Sequence, residues 1–235
     1  MGKICVGCSG WHYAHWRGVF YKQGTDLLAQ YARFFDSVEA NSTFYRFPTV
    51  TQLQKWDALT PKDFVFSMKM NRHVTHTKRL RNVERSLSDF LSICSVLGEK
   101  LGPILIQLPA NFEKDLKRFD EFLALLPERR FAFEFRNATW LQHDVFPHIQ
   151  DMPNIALVTL GAQFEDGAED GADFTYIRWH GRGGALDDYS HKEIDYWANR
   201  IHRLSQKEDV FGYWNNDAHG YALRNCLELK RKIGC

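Results

Sequence analysis

The sequence predicts a single parallel (β/α)8 barrel of the TIM type that covers residues 1–235 as one domain. Short runs of β-branched or aromatic residues recur eight times, and most are followed by a segment with helical spacing. The length of 235 residues suits one such barrel and is short for two domains with separate cores. Because barrels of this class carry their active sites at the carboxyl ends of the strands, the residues that follow the runs form the candidate site.

The eight runs are the predicted strands, and polar residues stand at or just after their ends. The runs cover residues 4–7, 37–39, 64–68, 104–106, 131–133, 155–160, 174–179 and 210–214. The polar residues at the strand ends are Glu39, Asn41, Lys69, Gln107, Glu134, Arg136, Arg178, His180, Asn215, Asn216 and Asp217. We expect these side chains to lie around one mouth of the barrel.

Four of the intervening segments predict helices from their apolar spacing. In chain order, the apolar residues are Leu27, Leu28, Tyr31, Phe34 and Phe35 after the N-cap Thr25; Leu87, Leu91, Cys94 and Leu97 before the C-cap Gly98; Phe119, Phe122, Leu123 and Leu126 before Pro127; and Ile194, Trp197, Ile201 and Leu204 in a helix that begins near Ser190. Residues 161–172 have three glycines, several acids and no apolar periodicity, so we expect helix six to be missing or reduced to a turn.

The formal net charge is only +1, but cations are concentrated after the third predicted strand. Residues 69–83 contain five lysines and arginines, among them Lys69 and Arg72, together with His73 and no acid, whereas residues 165–173 contain five acids and no cation. We expect the cationic segment to face an anionic ligand, since screening makes charges act locally. The alternative is two solvated loops of opposite sign.

Composition and motifs exclude several classes of protein. No apolar run approaches the roughly 18 residues of a membrane span, so no membrane partner is predicted. Five scattered cysteines indicate reduced thiols in a cytoplasmic protein, and the early first strand leads us to expect no signal peptide. Cys5 and Cys8 are spaced as CxxC, but a strand turns them to opposite faces. There is no P-loop, no GxGxxG after a strand and no GxSxG elbow. Gly181-Arg182-Gly183-Gly184 loosely resembles the glycine-rich phosphate-binding loop that follows strand seven in many barrels.

Glu39 and Glu134 are the glutamates placed at strand ends. Paired carboxylates serve glycosidases as acid and as nucleophile or base, and they can also hold a divalent metal. The alternative is a buried ionic network in which each glutamate is bound to Arg136, Lys69 or Arg178. Because those cations would repel a metal ion, we predict no metal and no cofactor.

His180 is the histidine best placed to act in the site, since it directly follows a predicted strand and lies two residues after Arg178. The sequence has no HExxH pattern and no Cys/His zinc knuckle. We therefore predict catalytic roles for Glu134, His180 and Glu39. The other polar residues at the strand ends are predicted to bind the ligand.

Aromatic side chains are dense around the predicted mouth. Trp11, Tyr45 and Trp140 lie in segments that carry Arg17, Arg46 and Arg136, and Arg72 follows the third predicted strand. Flat rings beside guanidinium groups suit stacking on bases or sugar faces and binding of phosphate, so these residues are predicted to bind the ligand. The alternative is that the rings pack the top of the barrel under its loops.

Six motifs, in order along the chain, resemble the YecE-like family of domain-of-unknown-function proteins. They are Gly7-Cys8-Ser9-Gly10-Trp11 with Trp16-Arg17-Gly18-Val19-Phe20-Tyr21; Val38-Glu39-Ala40-Asn41-Ser42-Thr43-Phe44-Tyr45; Gly102-Pro103-Ile104-Leu105-Ile106-Gln107-Leu108-Pro109; Phe133-Glu134-Phe135-Arg136 with Trp140; Arg178-Trp179-His180-Gly181; and Asn215-Asn216-Asp217 with Gly220. The resemblance implies a TIM-type barrel and no particular reaction. The barrel of this family is similar to the apurinic endonuclease and sugar isomerase barrels, which is an analogy of fold. Cys8 stands where the family commonly has threonine.

From these residues we predict that the protein binds a phosphorylated or nucleic-acid-like ligand at the barrel mouth. If it is an enzyme, we expect it to hydrolyse that ligand with acid–base chemistry by Glu134 and His180. The predicted partner is an anionic small molecule or a single-stranded or damaged nucleic acid. Two alternatives are a nucleotide or nucleic-acid binding protein without catalysis, and a glycoside hydrolase that uses Glu39 and Glu134. Ion-paired glutamates would favour binding, whereas carboxylates about 5–5.5 Å or about 6.5–9.5 Å apart would favour a retaining or an inverting glycosidase.

Overall fold

A computed structural model describes residues 1–24, 26–161, 171–181 and 187–234. Its eight strands form a closed parallel barrel in sequence order, and β8 closes on β1 over the pairs from Ile4–Val210 to Cys8–Trp214. The strands are β1 (Ile4–Cys8), β2 (Ser37–Ala40), β3 (Val65–Lys69), β4 (Leu101–Leu108), β5 (Phe131–Phe135), β6 (Ile155–Leu160), β7 (Phe174–Trp179) and β8 (Asp209–Trp214). Each strand overlaps a predicted run, and the predicted fold class is confirmed.

The described residues form seven α-helices. These are α1 (Leu27–Tyr31), α2 (Ser42–Tyr45), α3 (Val50–Leu59), α4 (Glu84–Cys94), α5 (Leu116–Leu123), α6 (His191–Leu204) and α7 (Tyr221–Ile233). The start of α6 is confirmed, because the Ser190 side chain and the Glu193 side chain form a reciprocal capping box. The N-cap of α1 is Asp26, whose carboxylate accepts a hydrogen bond from the backbone of Leu28, and the predicted cap Thr25 lies outside the described residues.

Helix α4 ends earlier than predicted. Its C-cap is Ser95, and the chain continues as a 3-10 turn, Ser95–Lys100, in which Gly98 has a φ of 53°. A positive φ suits glycine, so Gly98 forms a kink within this turn and does not cap the α-helix itself. The segment after β5 also differs from the regular pattern, because its described residues form two 3-10 turns, Ala138–Leu141 and Phe146–His148, and no α-helix.

Two further expectations fall on residues that the structure does not describe. Residues 162–170, in which helix six was expected to be missing or reduced, lie outside the described residues. Arg182, Gly183 and Gly184 of the glycine-rich segment also lie outside them.

The barrel wall separates two apolar clusters. Nine buried residues from the strands fill the barrel interior, and a much larger cluster lies between the strands and the surrounding helices. Cys5 belongs to the inner cluster and Cys8 to the outer one, which confirms that this CxxC pair does not converge.

A layer of hydroxyl groups lies inside the barrel. The Tyr213 hydroxyl is 2.6 Å from the Ser37 hydroxyl and 2.8 Å from that of Ser67, and all three residues are buried. Glu39 lies two residues after Ser37 on β2, so its side chain enters the interior one layer nearer the carboxyl ends of the strands. The hydroxyl layer is therefore the floor of the polar mouth.

Trp179 packs on the outer face of the barrel with no room to spare. Its indole ring lies against two glycines, and a Cβ added to Gly161 or Gly212 would meet ring atoms at 2.3 or 2.4 Å. The ring stacks on Trp214 at 4.5 Å and contacts Trp197 of α6 edge-on.

No helix in the described part of the chain combines the length and apolarity needed to cross a membrane.

Candidate functional site

Arg178 lies at the centre of the mouth and joins two carboxylates across the barrel. Its Nε and Nη2 donate to the two oxygens of Glu39 at 2.9 and 2.8 Å, and its Nη1 donates to Glu134. All three side chains are almost inaccessible to solvent. The bidentate contact with Glu39 fixes the plane of the guanidinium group and holds all three ions in one orientation.

Tyr176 also contacts Glu39 and is absent from the residues that the sequence predicted for the site. Its hydroxyl donates to Glu39 Oε2 at 2.8 Å, on the same oxygen that receives Arg178 Nε. The signal that identifies it is the period of two within β7, because Tyr176 and Arg178 share the inward face of that strand.

Glu134 is the meeting point of a second set of contacts. Arg136 Nε contacts Glu134 Oε1, and the Gln107 amide donates to the same oxygen at 3.0 Å. The Lys69 ammonium donates to Gln107 Oε1 at 3.1 Å and lies 4.6 Å from the centre of the Phe44 ring. The Lys69 hydrogen bond orients the Gln107 amide so that its NH2 group points to Glu134.

His180 lies above Glu134 with both ring nitrogens engaged. Its Nε2 is 3.2 Å from Arg178 Nη1 and 3.1 Å from Arg136 Nη2, and its Nδ1 is 3.0 Å from the side-chain amide of Asn215. A guanidinium group can only donate, so Nε2 accepts and carries no proton. In the neutral ring the proton is then on Nδ1, which faces Asn215 Nδ2, so Asn215 accepts this proton only when its amide is turned to place Oδ1 there.

The charges at the mouth fix the protonation states. Burial alone would raise the pKa of Glu39 and Glu134, but Arg178 outweighs it, lowering the pKa of Glu39 below its usual value and that of Glu134 to about 2. Burial, reinforced by the positive charge of Arg178, lowers the pKa of Lys69 to about 8 and that of His180 to about 4. At neutral pH both glutamates are ionised and His180 is neutral.

The mouth does not have the chemistry of a metal site. Among the described residues, no group of three or more His, Cys, Asp or Glu side chains is arranged to hold a metal ion. Oxygens of both Glu39 and Glu134 are occupied by guanidinium groups, whose charge opposes that of a cation. Metal-free binding stays a prediction.

A separate polar group lies after β8. Asp217 accepts a hydrogen bond from Trp16 Nε1 at 3.0 Å, and its other oxygen is 2.9 Å from His15 Nε2. Burial raises the pKa of Asp217 to about 6, although both neighbours oppose this effect. No sequence pattern pairs His15 or Trp16 with Asp217, because the contact joins loops at opposite ends of the chain.

Asn41 and Asn216 hold the backbone around the mouth. The Asn41 amide donates to the carbonyl of Ser9 at 3.1 Å, which links the ends of β2 and β1. The buried Asn216 amide donates to Asn225 of α7 at 2.9 Å and to the Asp187 carbonyl at 3.0 Å. Three polar atoms here, Ser9 Oγ, Asn41 Oδ1 and Asn216 Oδ1, are buried without a hydrogen-bond partner among the described residues.

The remaining predicted residues are divided between the rim and the interior. Tyr45, Arg72 and His73 are exposed, and Trp11 is half-buried with its ring edge-on to Trp56 at 4.9 Å. Trp140 is buried in the apolar cluster outside the strands, where its ring stacks on Phe135 at 4.9 Å and its Nε1 donates to the Phe112 carbonyl. Within the described residues Trp140 therefore has a packing role, and the rim residues can reach a ligand.

Fold and site together define a parallel (β/α) barrel protein with a desolvated ionic cluster at the carboxyl ends of its strands. The family described as "Protein of unknown function DUF72" matches residues 5–235, and the chain belongs to this family. It is 32% identical to UPF0759 protein YecE of Escherichia coli K12 over 136 residues, which cover 57% of this chain and about half (48%) of YecE. It is 26% identical to UPF0759 protein YunF of Bacillus subtilis 168, over 86% of this chain and 84% of YunF.

Solved structures show the same fold. A DUF72 family protein from Thermotoga maritima MSB8 superposes with a TM-score of 0.83 at 25% identity, over 99% of this chain and 100% of that chain. A DUF72 family protein from Enterococcus faecalis V583 superposes with a TM-score of 0.82 at 19% identity, over 99% of this chain and 96% of that chain. D-Psicose 3-epimerase from Clostridium cellulolyticum H10 superposes with a TM-score of 0.57 at 10% identity, over 97% of this chain and 95% of that chain. This likeness is one of fold alone.

Proposed function

We propose that the barrel mouth binds an anionic ligand, either a phosphorylated small molecule or a single-stranded or damaged nucleic acid. The observation that carries the proposal is the charge of the mouth. Three cations, Lys69, Arg136 and Arg178, face two ionised carboxylates, which leaves an excess of positive charge. An anionic group of a ligand would balance this excess.

Arg136 is the cation best suited to meet the ligand. Its side chain is 38% exposed, whereas that of Arg178 is 1% exposed, so Arg136 has donors left for a phosphate group. Tyr45 and Trp11 at the rim supply flat faces for a base or a sugar.

Binding without catalysis is favoured over both hydrolytic alternatives. A glycosidase needs a protonated carboxylic acid at working pH, but Glu39 and Glu134 are ionised and bound to arginines. A hydrolase that uses His180 as general base needs a free Nε2 lone pair, and two guanidinium groups face that nitrogen. Hydrolysis would therefore need rearrangement of the cluster when the ligand binds.

The test is calorimetric titration with an eight-nucleotide single strand, nucleoside monophosphates and ribose 5-phosphate at 50 and 200 mM NaCl. Arg136→Ala should weaken binding about tenfold or more, because a charge-assisted hydrogen bond contributes roughly 1.5–3 kcal/mol. Arg231→Ala, which changes an exposed arginine in the last turn of α7, is the matched control and should bind like the parent.

The salt dependence separates the two ligand classes. Affinity for a nucleic acid should fall steeply between the two salt concentrations, since each phosphate contact releases counterions, whereas a phosphorylated metabolite should show a shallow slope. If none of these ligands binds, or if Arg136→Ala binds like the parent, the anion site is refuted.

A further inference from the structure

Lys69 differs from the other well-buried lysines in its partners. Lys100, Lys114 and Lys230 each contact an aspartate, at 2.8 Å in the case of Lys100 and Asp57. No carboxylate oxygen of the described residues lies within 4.0 Å of the Lys69 ammonium. Its contacts are the amide oxygen of Gln107 and the face of the Phe44 ring.

The arrangement of the ionic cluster explains why Lys69 lacks a carboxylate partner. Glu39 and Glu134 lie near it, but Arg178 and Arg136 occupy both of them. Burial and the neighbouring charge of Arg178 therefore disfavour the ammonium form and lower the pKa of Lys69 to about 8. At pH 7 Lys69 is still mostly an ammonium ion, and near pH 8 about half of it is a free amine with an available lone pair.

We propose that Lys69 forms an imine with a carbonyl group of the bound anion, which makes the ligand a phosphorylated aldehyde or ketone. This inference rests on the proposed function, because the anionic group must first be held by Arg136. A desolvated lysine beside other cations is a recognised form of amine nucleophile. One amide side chain, Gln107, separates the Lys69 amine from the carboxylate that Arg136 contacts, so one small ligand could reach both groups.

The step balances without any oxidant or reductant. The Nζ lone pair attacks the carbonyl carbon, and one amine hydrogen passes as a proton to the carbonyl oxygen to give a carbinolamine. The hydroxyl group then leaves with the second amine hydrogen as water, and the C=N bond forms. When protonated, the imine carries one N–H, which can donate to Gln107 Oε1 as the ammonium does in the present structure.

The probe for this inference is pyridoxal 5′-phosphate, which combines a phosphate, a flat ring and an aldehyde. The full chain is incubated with it at pH 7.5, reduced with borohydride and mapped by peptide mass spectrometry. We expect Lys69 to be modified first, with a rate that reaches half its maximum near pH 8. Pyridoxamine 5′-phosphate, which has the same phosphate and ring but no aldehyde, should bind and protect Lys69.

Two variants sharpen the result. Lys69→Arg keeps the positive charge but cannot form an imine, so the fast phase in the modification of the whole chain should disappear. Lys62→Arg, which changes an exposed lysine before the amino end of β3, is the matched control and should leave the fast modification unchanged. Mapping of the unaltered chain decides the question even if a variant does not fold.

The possible failures are distinguishable. If pyridoxamine 5′-phosphate binds but modification is no faster at Lys69 than at exposed lysines, the imine is refuted and the anion site stands. If pyridoxamine 5′-phosphate does not bind and Lys69 is not modified, the imine is refuted, and the calorimetric titrations with the single strand, the nucleoside monophosphates and ribose 5-phosphate decide the anion site.

Discussion

Two arginines at opposite ends of the barrel each join two carboxylates, yet their surroundings differ. Arg178 at the mouth and its partners Glu39 and Glu134 are at most 1% exposed. Arg130 precedes β5 at the amino ends of the strands, and it contacts Asp173 at 3.0 Å and Asp209 at 2.6 Å. The Arg130 side chain is 31% exposed, and its partners are more than a quarter exposed.

The comparison shows that one ion-pair pattern can serve two purposes. Water screens the basal group around Arg130, so each of its ions can be solvated when a partner is lost. The ions at the mouth have lost their hydration water, so each depends on its charged partners. Well-packed apolar side chains of similar volume would give similar stability without this cost of desolvation. The cost of desolvation at the mouth supports a role in binding rather than in holding the fold together.

Arg178→Met should have the largest effect on stability. It leaves two glutamates buried without their main partner, so the free energy of unfolding should fall by about 3–5 kcal/mol. Arg130→Met should lower it by about 1 kcal/mol or less, since its partners are solvated. Urea denaturation of both variants at pH 7 measures the difference. Equal losses would show that the mouth cluster is screened as well as the basal group.

The two regions should also lose stability in different pH ranges. Unfolded His180 takes up a proton at its usual pKa of about 6.5, whereas in the folded protein burial and Arg178 lower this pKa to about 4. The free energy of unfolding should therefore decrease as the pH falls from about 6.5 to about 4. His180→Gln should flatten the pH dependence of stability in this range.

Asp209 determines the pH range in which the group around Arg130 loses stability. Although burial opposes it, the hydrogen bond from Arg130 lowers the pKa of Asp209, so the stability from this contact is lost only as the pH falls below the usual aspartate value of about 3.9. Denaturation at several pH values between 7 and 3 separates the two contributions. If the free energy of unfolding depends on pH in the same way in the parent and in His180→Gln, His180 is not held neutral in the folded protein.

The smallest expected effect is the salt dependence of the basal group. Asp209→Asn should cost roughly 0.5–1 kcal/mol at 50 mM NaCl and much less at 1 M, because salt screens exposed ion pairs. Tyr176→Phe is the buried control, since it removes a hydrogen bond to Glu39 without changing the charge of the chain. Its cost should be the same at both salt concentrations. A salt-independent loss for Asp209→Asn would remove the contrast between the two ends.

The barrel and the position of the mouth were predictable because both depend on local pattern. The period of two within each strand and the polar residue at its end place Glu39, Glu134 and Arg178 on the same face. The short 3-10 turns after β5 were not predictable in the same way, since helix formation in such segments depends on tertiary packing. Trp140 shows this clearly, because its segment turns inward and stacks its ring on Phe135.

The pairing of the charges required the structure. Glu39 on β2 and Arg178 on β7 are not on neighbouring strands, so their contact crosses the barrel interior and leaves no trace in sequence spacing. Lys69 on the adjacent strand β3 is closer to Glu39 along the sheet, yet it binds Gln107 instead. A buried network with Arg178 and Arg136 was one of the sequence-based alternatives, and the described residues form that network.

The close packing of Trp179 restricts the order in which related sequences can diverge. Alanine at Gly161 or Gly212 would place its Cβ 2.3 or 2.4 Å from the indole, so neither glycine can change first without displacing the ring. A lineage that acquires alanine at either position must already have a smaller residue at 179, and that intermediate carries a cavity. The three positions should therefore be inherited as a set, with departures from it occurring together rather than singly.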